Sequence, residues 1–231
     1  MLKRKDLFFI LGCIVFITPF FISETVYNVY VDYNKNHGMI MSFVKFSILA
    51  TAGEVIGLRI RTGNYNQKGF GIIPRSIVWG FLGLTIKMAF VIFSAGTPEL
   101  LSYLGLKNAK SALANNFTVT KLFVAFMIST TMNVVFAPIM MTLHKITDTH
   151  IVANGGTISA LFKPIKFRKI FNELNWDVQW NFVFKKTIPL FWIPAHTITF
   201  LLPNEFQVLF AALLGVALGV ILAIAAQMGK K

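Results

Sequence analysis

The chain has 231 residues, of which 55% are hydrophobic and 13% are charged, and its mean hydropathy is +0.67. Soluble domains carry roughly 25% charged residues, so this composition excludes an ordinary soluble domain and indicates a membrane protein. The formal net charge of +13 would suit nucleic-acid binding, but no basic stretch carries a recognisable binding motif. We therefore predict no nucleic-acid partner.

Apolar runs divide the chain into predicted membrane spans. Crossing the hydrocarbon core takes about 20 apolar residues, and the runs that approach this length are 7–22, 39–58, 77–95, 122–143, 187–202 and 206–227. They predict an all-α, polytopic transmembrane helical bundle of six spans that forms a single domain over residues 1–231. The first run lacks a small-residue cleavage site, which favours an uncleaved anchor over a signal peptide.

The basic residues are distributed unevenly about these spans. If the N-terminus is inside, 16 of the 22 lysines and arginines lie in the inner segments. By the positive-inside rule this predicts that both termini are cytoplasmic, and it favours a bacterial-type cytoplasmic membrane. The single cysteine, Cys13, excludes an intramolecular disulfide and a multi-cysteine metal site.

The cytoplasmic segment 164–180 has the pattern of an amphipathic helix. Its apolar residues recur at helical spacing: Phe167, Ile170, Phe171, Leu174 and Val178. Its interfacial candidates are the basic and aromatic residues Lys166, Arg168, Lys169, Trp176 and Trp180. Such a helix either lies among anionic headgroups or packs on the protein's own inner face, and the pattern is the same in both cases.

Small residues form strips on two of the predicted spans. The last span places Ala211, Gly215, Gly219 and Ala223 four residues apart, and the second span contains Gly53 and Gly57. Such strips let helix backbones approach closely in a membrane. We expect them to pack within the chain, with a homo-oligomer or partner membrane helices as the alternative.

Polar side chains inside the spans are candidates for a functional lining. Counting about 1.5 Å per residue places Lys87, Asn133 and His196 near the midplane, with Thr199 beside His196 and Glu54 about one turn from the inner end. The sequence offers several cationic partners for Glu54: Arg59, Arg61, Arg75 and Lys87. Ionisable residues at this depth indicate a binding site or conduction path, whereas a satisfied interhelical hydrogen-bond cluster is the alternative.

Prolines interrupt two spans. Pro138 lies in the fourth span, Pro189 and Pro194 lie in the fifth, and Pro203 follows it. Each proline removes a backbone donor, and broken helices occur at membrane depth where they line a cavity or where neighbours satisfy the freed groups. A polar cavity and a purely structural kink both fit this pattern.

Signals for catalysis are weak. The stretch "HKITDTH" supplies His144, Asp148 and His150, but their spacing matches no standard metal-ligand pattern, and no nucleophile or phosphate-loop motif occurs. We predict no enzyme activity, no catalytic residue, no metal and no cofactor.

From Leu49 to Gln227 the chain resembles the Mpv-seventeen/peroxisomal-membrane-protein family of small multi-span proteins. The resemblance rests on four stretches: Gly53–Glu54, Arg75 with "GFLG", "MNVVFAP" with Ala137 and Pro138, and "WIPAHTITFLLPNEFQ". In the last stretch Trp192 and Phe200 match in place, Pro194 and Pro203 are each offset by one, and His196, Thr199 and Gln207 replace the family's glutamine, asparagine and arginine.

The resemblance implies that the broken span is a family feature and that the protein conducts small solutes across a membrane. Together with the polar midplane residues, it leads us to expect a channel-like or transporter-like protein. A non-conducting structural or assembly protein that binds partner helices is the alternative.

Overall fold

A computed structural model describes residues 3–228, and every regular element in that range is helical. The α-helices are α1 (Arg4–Ile17), α2 (Pro19–Ile22), α3 (Glu24–Asn36), α4 (Gly38–Thr62), α5 (Ile72–Tyr103), α6 (Val119–Ala153), α7 (Phe167–Glu173), α8 (Trp176–Val178), α9 (Ile193–Leu201) and α10 (Asn204–Met228). A π-helix covers Gln179–Trp192, and 3₁₀ turns cover Ala112–Ala114 and Ile158–Phe162. The chain divides into two compact units, Met1–Met41 and Ser42–Lys231, where the sequence predicts one domain.

Five helical segments within residues 3–228 are long and apolar enough to cross a membrane. They are Arg4–Ile22, Gly38–Thr62, Ile72–Tyr103, Val119–Ala153 and Asn204–Met228. The fifth predicted span, 187–202, is not among them, because its first part belongs to the π-helix and its second part to the short helix α9. The chain is thus an all-helical membrane protein.

The first unit contains α1, α2 and α3. The predicted first span passes from α1 to α2 at Thr18, whose backbone stays helical and whose hydroxyl donates to the Ile14 carbonyl over 2.7 Å. Pro19 follows as the first residue of α2 and supplies no backbone donor there. Ser23 begins α3, since its hydroxyl accepts from the Val26 amide over 3.3 Å. Cys13 is exposed.

The core of the second unit is built by α4, α5, α6, α9 and α10. Helices α4 and α5 approach closely, because Ser42 Oγ donates to the Gly83 carbonyl over 2.7 Å and a Cβ on Gly83 would lie 2.7 Å from Phe46 Cβ. Helix α9 is tied to α6 by Ser129 Oγ, which donates to the Ile193 carbonyl over 2.7 Å.

The structure brings the two small-residue strips together. A Cβ added to Gly53 of α4 would lie 2.9 Å from Val216 Cα of α10, and one added to Gly57 would lie 3.5 Å from the Gly219 carbonyl oxygen. On α10, Ala211 and Ala223 are also buried. A bulkier residue at Gly53 would force the backbones of α4 and α10 apart.

The predicted amphipathic helix over 164–180 is wrong as a single helix. Helix α7 ends at Glu173 because Leu174 is extended (φ −62°, ψ 142°), and α8 begins at Trp176. The break turns Ile170 and Leu174 inward against Ile146 of α6, with Trp176 packed on them. The remaining apolar and aromatic candidates, Phe167, Phe171, Val178 and Trp180, are exposed, as are the basic residues Lys166, Arg168 and Lys169.

The interrupted fifth segment changes helix type at Ile193. Pro189 lies inside the π-helix and Pro194 lies in the first turn of α9. Because the π-helix runs directly into α9, each proline removes a backbone donor from one continuous helical stretch. Pro203 follows the end of α9, and Phe200 is buried. Pro138 lies within α6, which continues through it to Ala153.

Candidate functional site

A cavity of about 730 Å³ lies within the second unit. Its wall is contributed by α4, α5, α6, the π-helix, α9 and α10, together with the loop before α5. At one end the lining residues Arg61, Gln67, Lys68 and Lys145 are exposed. At the other end Asn133 is 1% exposed and His196 is 8% exposed. The cavity therefore leads from a charged surface into the interior of the bundle.

Five side chains form an ion-pair cluster in this wall: Glu54, Arg75, Trp79, His144 and Asp148. The Glu54 carboxylate accepts from Arg75 Nη1 over 2.5 Å and from Trp79 Nε1 over 2.9 Å, and it lies 2.9 Å from His144 Nε2. Arg75 Nη2 pairs with Asp148. The ring centroids of Trp79 and His144 are 4.3 Å apart. One guanidinium thus joins two carboxylates from α4 and α6.

Arg75 contacts both the loop before α5 and the neighbouring helices. Its Nε donates to the Phe70 carbonyl over 2.6 Å, and its guanidinium lies 4.4 Å from the centroid of the Phe70 ring. Gly71 precedes α5 with a left-handed backbone (φ 74°), and a Cβ there would lie 2.8 Å from Gly156 Cα. The loop can approach Gly156 only because both residues are glycines. All three nitrogens of the Arg75 fork are therefore engaged within the chain.

A second, neutral cluster lies deeper. Asn133 Nδ2 is 3.1 Å from His196 Nδ1 and donates to the Ser129 carbonyl over 2.8 Å. The His196 ring lies between aromatic neighbours, with centroids 5.0 Å from Trp192 and 5.7 Å from Phe90. The imidazole is thus positioned by one hydrogen bond and two ring contacts.

The predicted polar lining is only partly assembled. Glu54, Asn133 and His196 line the cavity, whereas Lys87 and Thr199 are not among its lining residues. Lys87 is half-buried, and no hydrogen bond between described residues joins it to Asn133 or His196. Thr199 is fully buried, and its hydroxyl donates to the Ala195 carbonyl of its own helix over 3.0 Å.

Sequence reasoning did not foresee four lining residues: Trp79, Gln179, and His144 with Asp148 as partners of Glu54 and Arg75. A usable signal existed for the last two, since residues four apart on a helix share a face and His144 and Asp148 both lie on α6. Trp79 and Gln179 carry no comparable local pattern.

The three groups considered for a metal do not converge. His144 faces Glu54, Asp148 pairs with Arg75, and His150 Nε2 lies 2.9 Å from the Ala160 carbonyl oxygen. Within residues 3–228, no group of three His, Cys, Asp or Glu side chains is arranged to hold a metal ion.

Comparison with known proteins adds no relative, because no family model, curated protein or solved structure matches the chain.

Proposed function

We propose that this chain is a multi-pass membrane protein that conducts or transports small solutes through the cavity of its second unit. The observation that supports this most is the cavity itself, which joins an exposed charged end to the buried Asn133–His196 pair. Its volume of about 730 Å³ lies in the range of roughly 300–1,000 Å³ that is typical of small-molecule sites. A wall that mixes apolar and polar side chains suits a solute passing through a bundle.

The proposal includes an orientation and a location. The exposed residues Arg61, Lys68 and Lys145 lie in segments that the positive-inside rule assigns to the cytoplasm, so we place this end of the cavity on the cytoplasmic side of a bacterial-type membrane. The exposed basic residues of α7 would then face anionic headgroups. The resemblance to the Mpv-seventeen/peroxisomal-membrane-protein family points to the same kind of function.

Transport fits the site better than catalysis or assembly. Both carboxylates in the wall, Glu54 and Asp148, are paired with Arg75, which leaves them poorly placed as a nucleophile or general base. The small-residue strips on which the assembly alternative depends pack α4 on α10 within the chain, so they serve the bundle itself.

Cysteine labelling tests whether the cavity is wet and conducting. In a Cys13→Ser background, Met140→Cys places a thiol on the cavity wall, and Ile128→Cys places one in the dry core as a matched control on the same helix. We expect a membrane-impermeant thiosulfonate reagent to modify position 140 and not position 128.

The same labelled protein tests conduction. In phosphatidylcholine vesicles, we expect acetate or phosphate efflux through Met140→Cys protein to fall after modification, because the adduct fills the cavity. Protection of position 140, together with efflux no faster than in protein-free vesicles, would overturn the proposed function.

A further inference from the structure

Two N–H donors on the cavity wall have no hydrogen-bond partner among the residues that the structure describes. They are Gln179 Nε2 and Trp192 Nε1, and both atoms are shielded from solvent. Gln179 as a whole is 7% exposed. Buried donors in native proteins are nearly always paired, because an unmade hydrogen bond there is costly. Two unpaired donors on one cavity wall therefore indicate where an acceptor from outside the chain binds.

The π-helix explains why both donors reach the same cavity. Gln179 and Trp192 are its first and last residues, 13 positions apart. In an α-helix of about 3.6 residues per turn, 13 positions would place them on nearly opposite faces. A π-helix is bonded i→i+5 and is wider, with about 4.4 residues per turn, so the same 13 positions complete close to three whole turns. The helix type thus turns both N–H groups to one side.

The charges of the wall select the kind of acceptor. The lining contains four cationic side chains and two carboxylates: Arg61, Lys68, Arg75 and Lys145, with Glu54 and Asp148. Both carboxylates are engaged, since Glu54 accepts from Arg75 and Trp79, and Asp148 pairs with Arg75 and lies 3.9 Å from Lys145 Nζ. The groups that remain to face the cavity are therefore mainly hydrogen-bond donors and cationic side chains.

We propose that the cavity binds an anionic group, a carboxylate or a phosphate, and that Gln179 and Trp192 donate to it at two successive positions. The inference rests on the proposed function and names its solute class. Arg61, Lys68 and Lys145 attract the anion at the exposed end, Gln179 receives it at the start of the π-helix, and Trp192 receives it beside His196. The same chemistry is carried by a free small anion and by an anionic lipid headgroup.

Thermal unfolding of the full chain in phosphatidylcholine nanodiscs tests the binding. The probes are sodium acetate and sodium phosphate, with choline chloride and glycerol as cationic and neutral controls at matched ionic strength. Because a ligand that binds only the folded state raises the unfolding midpoint, we expect acetate or phosphate to raise it and the controls to leave it unchanged.

Conservative variants assign the effect to the two donors. Trp192→Phe removes the N–H and keeps an aromatic ring, and Gln179→Glu keeps the size and replaces the donor by a carboxylate. The matched controls are Trp180→Phe and Asn181→Asp, which alter exposed residues of the same helix that do not line the cavity. A hydrogen bond to a charged group contributes about tenfold in affinity. Each site variant should therefore need about ten times more anion for the same midpoint shift, and each control should match the parent chain.

The outcomes separate this inference from the proposed function. Equal shifts with choline or glycerol, or anion shifts that Trp192→Phe and Gln179→Glu leave unchanged, would overturn the anion site even if vesicles leak solutes. Anion shifts that depend on both donors, in a protein without solute efflux, would support the site and sink the transport proposal. If phosphatidylglycerol added to the discs gives the same variant-dependent shift and abolishes that of phosphate, the anionic group is a lipid headgroup.

Discussion

The two polar clusters of the second unit satisfy their groups in different ways. The cluster around Arg75 is ionic, joins two carboxylates to one guanidinium, and lies between α4, α5 and α6. The Asn133–His196 pair is held by an amide–imidazole hydrogen bond, without an ion pair, and joins α6 to α9 deeper in the bundle. A buried charge requires a counter-charge, whereas a neutral polar pair needs only a hydrogen-bond partner. The carboxylates near the exposed end of the cavity are thus neutralised by Arg75, whereas the deeper polar groups are hydrogen-bonded without a counter-charge.

Removing the Arg75 guanidinium should lower the free energy of unfolding the most. Arg75→Met leaves Glu54 and Asp148 as two close carboxylates without their cation, and breaking a buried pair costs about 3–5 kcal/mol. The free energy of unfolding in detergent micelles measures this loss. Lys145→Met is the control, because Lys145 is exposed and lies 3.9 Å from Asp148, and exposed pairs contribute at most about 1 kcal/mol. Equal losses for the two variants would show that the cluster is not held by Arg75.

Displacing α4 without changing a charge should lower the free energy of unfolding by an intermediate amount. Gly53→Ala pushes α4 away from Val216 Cα and displaces the neighbouring Glu54, at a cost of about 1–3 kcal/mol. The same unfolding experiment checks the loss. Gly215→Ala is the matched control, since a Cβ there meets no atom within 4 Å, and alanine favours a helix by up to about 1 kcal/mol. If Gly53→Ala left the free energy of unfolding unchanged, it would contradict the close contact between α4 and α10.

Removing the Asn133–His196 hydrogen bond should lower the free energy of unfolding the least. Asn133→Leu loses the contact with His196, and interhelical hydrogen bonds in membranes are worth about 1 kcal/mol. Thr130→Val serves as control, because Thr130 is only half-buried and its hydroxyl donates to the Phe126 carbonyl of its own helix over 2.8 Å. A loss as large as that of Arg75→Met would remove the distinction between the clusters.

Much of the architecture follows from composition and local pattern. Apolar length is a local property, so the runs that became α4, α5, α6 and α10 could be found from sequence. Glu54, Asn133 and His196 stood out because a polar residue in an apolar run is conspicuous. Their partners did not, since Glu54 and His144 are 90 residues apart and only the packing of α4 against α6 joins them.

The features that the sequence patterns did not predict also have physical causes. Helical periodicity assumes the α-turn, so the π-helix at Gln179–Trp192 hid the shared orientation of its two ends. Lys87 was grouped with His196 by depth alone, but depth does not fix the direction in which a helix residue points. The stripe over 164–180 was continuous in sequence, yet Leu174 adopts an extended backbone that divides it.

The contact between Gly53 and α10 also bears on how the protein is made. Helix α10 follows all the other described helices in the chain, yet Ala211, Gly215 and Gly219 are part of the cavity wall. The wall therefore stays incomplete, with the glycine strip of α4 uncovered, until α10 has left the ribosome and entered the bilayer. Insertion of α10 is therefore the step that completes the cavity wall.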